Sequence, residues 1–130
     1  MRILAVIVSL VGVAVLVLGV LFIVQAGSAE QEVADSIQPL QLAEVDATYE
    51  AVKTKHMAMR AAEEPDIQAG KAAPSATYNY LSIQRTSLGL ARTNIGLAAL
   101  VRTTGILDVA LGFGVLLSGL VLFNKCRSAA

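Results

Sequence analysis

Tryptophan is absent from this chain, cysteine and histidine occur once each, and proline occurs three times. A lone cysteine, Cys126, excludes an intrachain disulfide, and with one histidine it also excludes the usual zinc frameworks. His56 has no second histidine with which to form a His-Glu-x-x-His helix, and no Gly-x-Ser-x-Gly occurs. Gly112-Phe113-Gly114 lies inside an apolar run, so it is no phosphate loop. No enzyme signature is left, and neither catalysis nor a cofactor is expected. Charged residues make up only 15% of the chain and the formal net charge is zero, which argues against a nucleic-acid partner. The missing tryptophan removes the strongest interfacial anchor. Tyr49, Tyr78 and Tyr80 lie away from the long apolar runs.

Apolar residues are what is present. They make up 55% of 130 residues, and the mean hydropathy of +0.66 is high for a soluble domain of this size. Two runs concentrate them. Ile3 to Val24 is about 22 residues long, and Thr103 to Phe123 about 21; roughly 20 are needed to cross a bilayer. The first run exceeds the roughly 7–15 residues of a signal-peptide apolar region, so an uncleaved anchor is expected despite the small residues Gly27-Ser28-Ala29. No proline or turn cluster interrupts the stretch from Ser75 to Phe123, so the second span is expected to continue into its stalk as one helix.

Between the runs the pattern becomes amphipathic. Ser28 and Gln31 have the form of a capping box, which predicts a helix restarting just after the first span. Pro39 is expected to break that helix. Leu42, Val45, Tyr49, Val52, His56 and Met59 then recur at alternating spacings of three and four, a helical stripe. Pro65, Gly70 and Pro74 mark a turn near 63–75, after which Ser75 can cap the next helix. On that helix Leu81, Leu88 and Ile95 fall seven apart, as do Ile83, Leu90 and Leu97, making a broad apolar face. Stalk helices over about 40–62 and 76–102 would each be on the order of 35–40 Å long. The fold expected is an all-α membrane protein, with two transmembrane helices joined by an extramembrane antiparallel helical hairpin. Its parts are a first transmembrane helix over 1–25, a hairpin over 26–102, a second transmembrane helix over 103–124 and a tail over 125–130. With so few residues outside the bilayer, the stalk helices are expected to pack on a neighbour rather than on each other.

Orientation follows from basic flanks. Arg2 precedes the first run, while Glu30, Glu32 and Asp35 follow it, with no Lys or Arg until Lys53. The positive-inside rule predicts both termini in the cytoplasm and the loop outside, and a bacterial or archaeal plasma membrane is the expected location. The second run has Arg85, Arg92 and Arg102 before it and Lys125 and Arg127 after it, and does not discriminate.

Three features bear on function. Asp108 is an acid inside the second apolar run, within reach of the interface or of a hydrogen bond from Thr104 one turn back. Small residues form two faces of the second span: Ala110, Gly114 and Ser118 at a spacing of four, and Gly105, Gly112 and Gly119 at seven. Ala5, Ser9 and Gly12 are their counterparts on the first span. Such faces let helix backbones approach closely in lipid, one serving the chain's own first span and the other a second subunit. His56, Met57 and Met59 are the only soft ligands close together, and His56 and Met59 share a helix face. A packed histidine explains His56 more simply than copper does. Salt bridges from Glu50 to Lys53 and from Arg60 to Glu63 are expected on the solvated face.

The reading that follows is a non-catalytic structural or accessory subunit of a larger integral-membrane complex. Its partners would be the lipid bilayer and other membrane subunits or copies of itself. The alternatives are a self-oligomerising ion or proton transport component using Asp108, and the membrane anchor of a redox or copper complex.

Overall fold

A computed structural model describes residues 2–128, with the side chains of residues 3–126. Arg2 and Arg127, which enter the reading of orientation, lie outside the described side chains, as does the end of the tail. The chain is all-α. Helix α1 spans Arg2–Ser36, α2 Val45–Gln68 and α3 Ala76–Ser128, with a 3₁₀ turn at Leu42–Glu44 before α2. Two of these helices, α1 and α3, are long and apolar enough to cross a membrane. The chain divides into two compact units, residues 1–29 with 97–130, and residues 30–96.

In the first unit α1 and α3 are packed against each other through their smallest residues. Ala5, Gly12, Gly19 and Ala26 are buried on α1, each seven residues from the last. Ala98, Gly105, Gly112 and Gly119 are buried on α3 at the same interval. A repeat of seven drifts only about 20° around a helix, so each set stays on one face and winds the pair left-handed. The pairing is antiparallel: Gly12 lies against Gly112 and Leu116, and Gly19 against Gly105 and Val109.

In the second unit the end of α1, all of α2 and the start of α3 share a core. Val33 of α1, Val45 of α2 and Ala91 of α3 form one buried cluster. Val52, Leu81 and Leu88 form another, with Tyr49 and Met59 packed against it. The expectation that α2 would need a neighbouring protein is therefore corrected. Val52 of α2 packs directly on Leu81 and Leu88 of α3, and α1, which runs on past residue 25 to Ser36, adds Val33 to the cluster around Val45. Ser28 does not cap a new helix either. Its hydroxyl donates to the Val24 carbonyl at 3.2 Å, one turn back within the same helix. The stripe from Leu42 to Met59 does face inward, with Val45, Val52 and His56 buried.

The turn between α2 and α3 differs from its expected bounds. Pro65 lies within the last turn of α2, where the helix needs to continue only three residues further. Gly70 ends it, at φ +68°, a left-handed conformation that costs glycine nothing. Its N–H meets the Ile67 carbonyl at 3.0 Å and the Lys71 N–H meets the Asp66 carbonyl at 2.9 Å, a Schellman closure. Ser75 caps α3 as expected: its hydroxyl accepts from the Tyr78 N–H at 3.0 Å, a contact worth about 1 kcal/mol. Glu63 holds Ser75 in turn, accepting from its N–H at 3.0 Å and its hydroxyl at 2.6 Å. Glu63 is thus taken up by the turn, and the salt bridge expected of it with Arg60 is made by Glu64 instead, with one Arg60–Glu64 bond at 2.8 Å. The Glu50–Lys53 pair forms at 2.9 Å.

Candidate functional site

Burial in the first unit is inverted relative to a soluble helix pair. The small residues are inside, and the large apolar side chains point outward along both helices. Ile3, Leu10 and Val24 on α1 are exposed, as are Leu107, Leu111 and Val121 on α3. An exposed apolar surface this continuous needs lipid or another protein to cover it. The Gly105, Gly112 and Gly119 face serves the chain's own α1. A Cβ on Gly105 would lie 2.7 Å from the Gly19 carbonyl oxygen, and one on Gly112 2.6 Å from the Leu16 amide nitrogen. No side chain fits there, and backbone meets backbone.

The Ala110, Gly114 and Ser118 face is left open. All three are exposed, and a Cβ on Gly114 would meet nothing within 4 Å. Ser118 donates to the Gly114 carbonyl at 2.8 Å, which satisfies the hydroxyl without a second helix. Ala5 is in the seam and Ser9 lies against Gly119 at its edge, with the Ser9 hydroxyl donating to the Ala5 carbonyl at 3.0 Å. Gly19 and Ala26 were not part of the small-residue pattern read on the first span. A search of that span at intervals of seven rather than four finds them.

Asp108 is half-buried, and among the described residues no hydrogen bond or ion pair reaches it. Thr104 does not supply one: its hydroxyl donates to the Leu100 carbonyl at 3.0 Å, the usual outlet for a threonine inside a helix.

The second unit holds the remaining candidate residues. His56 is 6% exposed. Its ring sits 5.3 Å from that of Tyr78, and Nδ1 lies 3.3 Å from Nη1 of Arg85. Met59 packs beside Val52, Leu81 and Leu88, while Met57 is exposed. The three soft ligands are thus not brought to one point, and a guanidinium occupies one imidazole nitrogen of the only histidine. Among the described residues, no group of three or more His, Cys, Asp or Glu is placed to hold a metal.

Cross-links between α2 and α3 continue towards the start of α2. Arg92 meets Asp46 at 2.7 Å and Glu50 at 3.5 Å, and lies over the Tyr49 ring. Glu50 is held below the usual carboxylate range, chiefly by its hydrogen bond from Lys53 and further by the charge of Arg92. Two open grooves flank Tyr80. One of about 570 Å³ runs past Ile37, Pro39, Leu40 and Ile83, and one of about 560 Å³ past Ala58, Met59 and Leu81. The expected broad apolar face of α3 is split: Leu81 and Leu88 are buried, whereas Ile83, Leu90 and Leu97 are each exposed. Cys126 is a free, half-buried thiol. Comparison of the chain with protein-family models, with curated proteins and with solved structures gives no match.

Proposed function

We propose that this chain is a non-catalytic structural or accessory subunit of a larger integral-membrane complex. Two spans anchor it, both termini face the cytoplasm, and residues 26–102 form a helical hairpin outside. The observation that carries the reading is the open small-residue face of Ala110, Gly114 and Ser118. In lipid, helices associate where small residues let backbones meet, because apolar surface alone gives no drive. One such face of α3 is used within the chain and the other is available to a second subunit. The test is extraction from native membrane in mild detergent, a native gel, and mass spectrometry of the band that holds this chain. Co-migration with other membrane subunits is the expected result. A monodisperse, protease-resistant monomer would end the proposal.

Asp108 supports a second reading, a transport component in which several copies line an ion or proton path. It is an acid in an apolar helix with no partner among the described residues, and an ionisable residue within a span is a candidate for an ion or proton pathway. Under the accessory reading, Asp108→Asn should leave ion flux in reconstituted vesicles unchanged. A fall of about tenfold or more with assembly intact would favour transport.

A further inference from the structure

The polar ties between α2 and α3 all run in one direction. The α2 side provides acceptors: Asp46, Glu50, His56 and Glu63. The α3 side provides donors: Arg92 for the first two, Arg85 for His56, and Ser75 for Glu63. Protonation acts on them differently: a carboxylate loses its charge but keeps acceptor oxygens, whereas an imidazole nitrogen loses its only acceptor lone pair. The ties also differ in how much acid protonation takes.

His56 is the distinctive member. A guanidinium has five N–H donors and no acceptor, so at 3.3 Å from Arg85 the His56 Nδ1 must be the acceptor. The tautomer that fits this contact carries its hydrogen on Nε2. That nitrogen is buried and has no partner among the described residues. A proton added at Nδ1 would turn the acceptor into a donor facing a donor. It would also place a second positive charge against Arg85 in a site shielded from water, with no acceptor for either ring N–H.

The other charges near the ring do not cancel this. On α2, Lys53 and Arg60 lie three and four residues away on the same side of the helix, and both are cations. Glu64 is the acid whose field reaches His56, but Arg60 already holds both of its oxygens. From α3 come Arg85 and the Tyr78 ring.

We propose that His56 is a proton-sensing latch: neutral, it holds Arg85 and closes α2 on α3; protonated, it releases Arg85 and loosens the far half of the hairpin. Histidine is the side chain that ordinarily changes charge between about pH 5 and 8. The carboxylate ties outlast it on acidification. Hydrogen bonds from Lys53 and Ser75 hold Glu50 and Glu63, respectively, below the usual carboxylate range. The carboxylate ties at either end therefore persist where the His56–Arg85 tie is released.

Amide hydrogen exchange on the full chain in detergent micelles tests this, at pH 7.5 and 5.5 with rates corrected for intrinsic exchange. In the wild type, protection of residues 56–68 and 76–88 should fall severalfold on acidification; one coupled proton allows at most about tenfold per pH unit. Residues 12–19 of the first unit should not change. His56→Gln keeps an oxygen that accepts from Arg85 but takes up no proton, so its protection should not depend on pH. Should that variant fail to fold, Arg85→Gln serves instead, because an amide can face either state of the ring; it too should respond little. A wild type without pH dependence, or a variant that keeps the wild-type dependence, would overturn the latch.

Discussion

Gly112→Leu is expected to separate α1 from α3 and leave the chain without a folded first unit. A Cβ at Gly112 would stand 2.6 Å from the Leu16 amide nitrogen and 2.9 Å from the Gly12 carbonyl oxygen. Both are backbone atoms, so no rotamer change relieves the contact and the helices must move apart. Overpacking of a close interface costs about 1–3 kcal/mol even for small additions, and leucine adds four carbons. Alanine makes the sharper comparison. Gly→Ala at an open helix position is neutral or stabilising by up to about 1 kcal/mol. Gly114→Ala, with nothing within 4 Å, should therefore melt at or slightly above the wild-type temperature in mild detergent. Gly112→Ala should melt well below it. Equal melting temperatures for the two variants would show that the seven-spaced seam does not hold the helices together.

The long helices were legible because length and hydropathy are properties of a whole run, and no local detail overrides them. The inward stripe of α2 was legible for a similar reason: six positions in register outweigh any single residue. What stayed hidden depended on competition between near-equal local options. Ser28 fits a capping box, yet a serine within a helix can satisfy its hydroxyl on the carbonyl four residues back, and it does so. Pro65 is a breaker by type, but it removes one hydrogen bond near the end of α2, too late to stop the helix before Gly70. Glu63 had Arg60 within reach by spacing and instead took Ser75, twelve residues on, a contact that exists only once the turn has formed.

The two small faces of α3 show where a single helix ceases to be informative. Both have the residue types that close packing needs. The choice between them is made by α1, whose small residues recur at intervals of seven and so match Gly105, Gly112 and Gly119 along the whole contact. A stripe with intervals of four drifts about 40° per step and cannot follow that partner. The same logic extends to burial in the second unit, where Val45 of α2 is covered in part because α1 continues far enough to contribute Val33. In both units the deciding residue belongs to a different helix from the one being read.

Gly114→Leu should separate folding of the chain from its assembly. The substitution lies on α3 only two residues from Gly112 but on an open face, where an added side chain meets nothing in this chain. Stability of the isolated protein should be unchanged or higher by up to about 1 kcal/mol, as for replacing glycine by a good helix former at an open helix position. If a second subunit approaches along Ala110, Gly114 and Ser118, the leucine holds its backbone away and removes the contact on which lipid-phase association depends. Native gels of membranes carrying this variant should then show the chain lost from its large complex while its own melting temperature is kept or raised. Gly114→Ala should weaken assembly less, since one methyl separates the backbones by less than a leucine does. A complex that survives Gly114→Leu unchanged would remove this face from the interface. The hairpin would then be the remaining contact surface, with exposed Tyr80, Ile83 and Leu90 the next residues to replace.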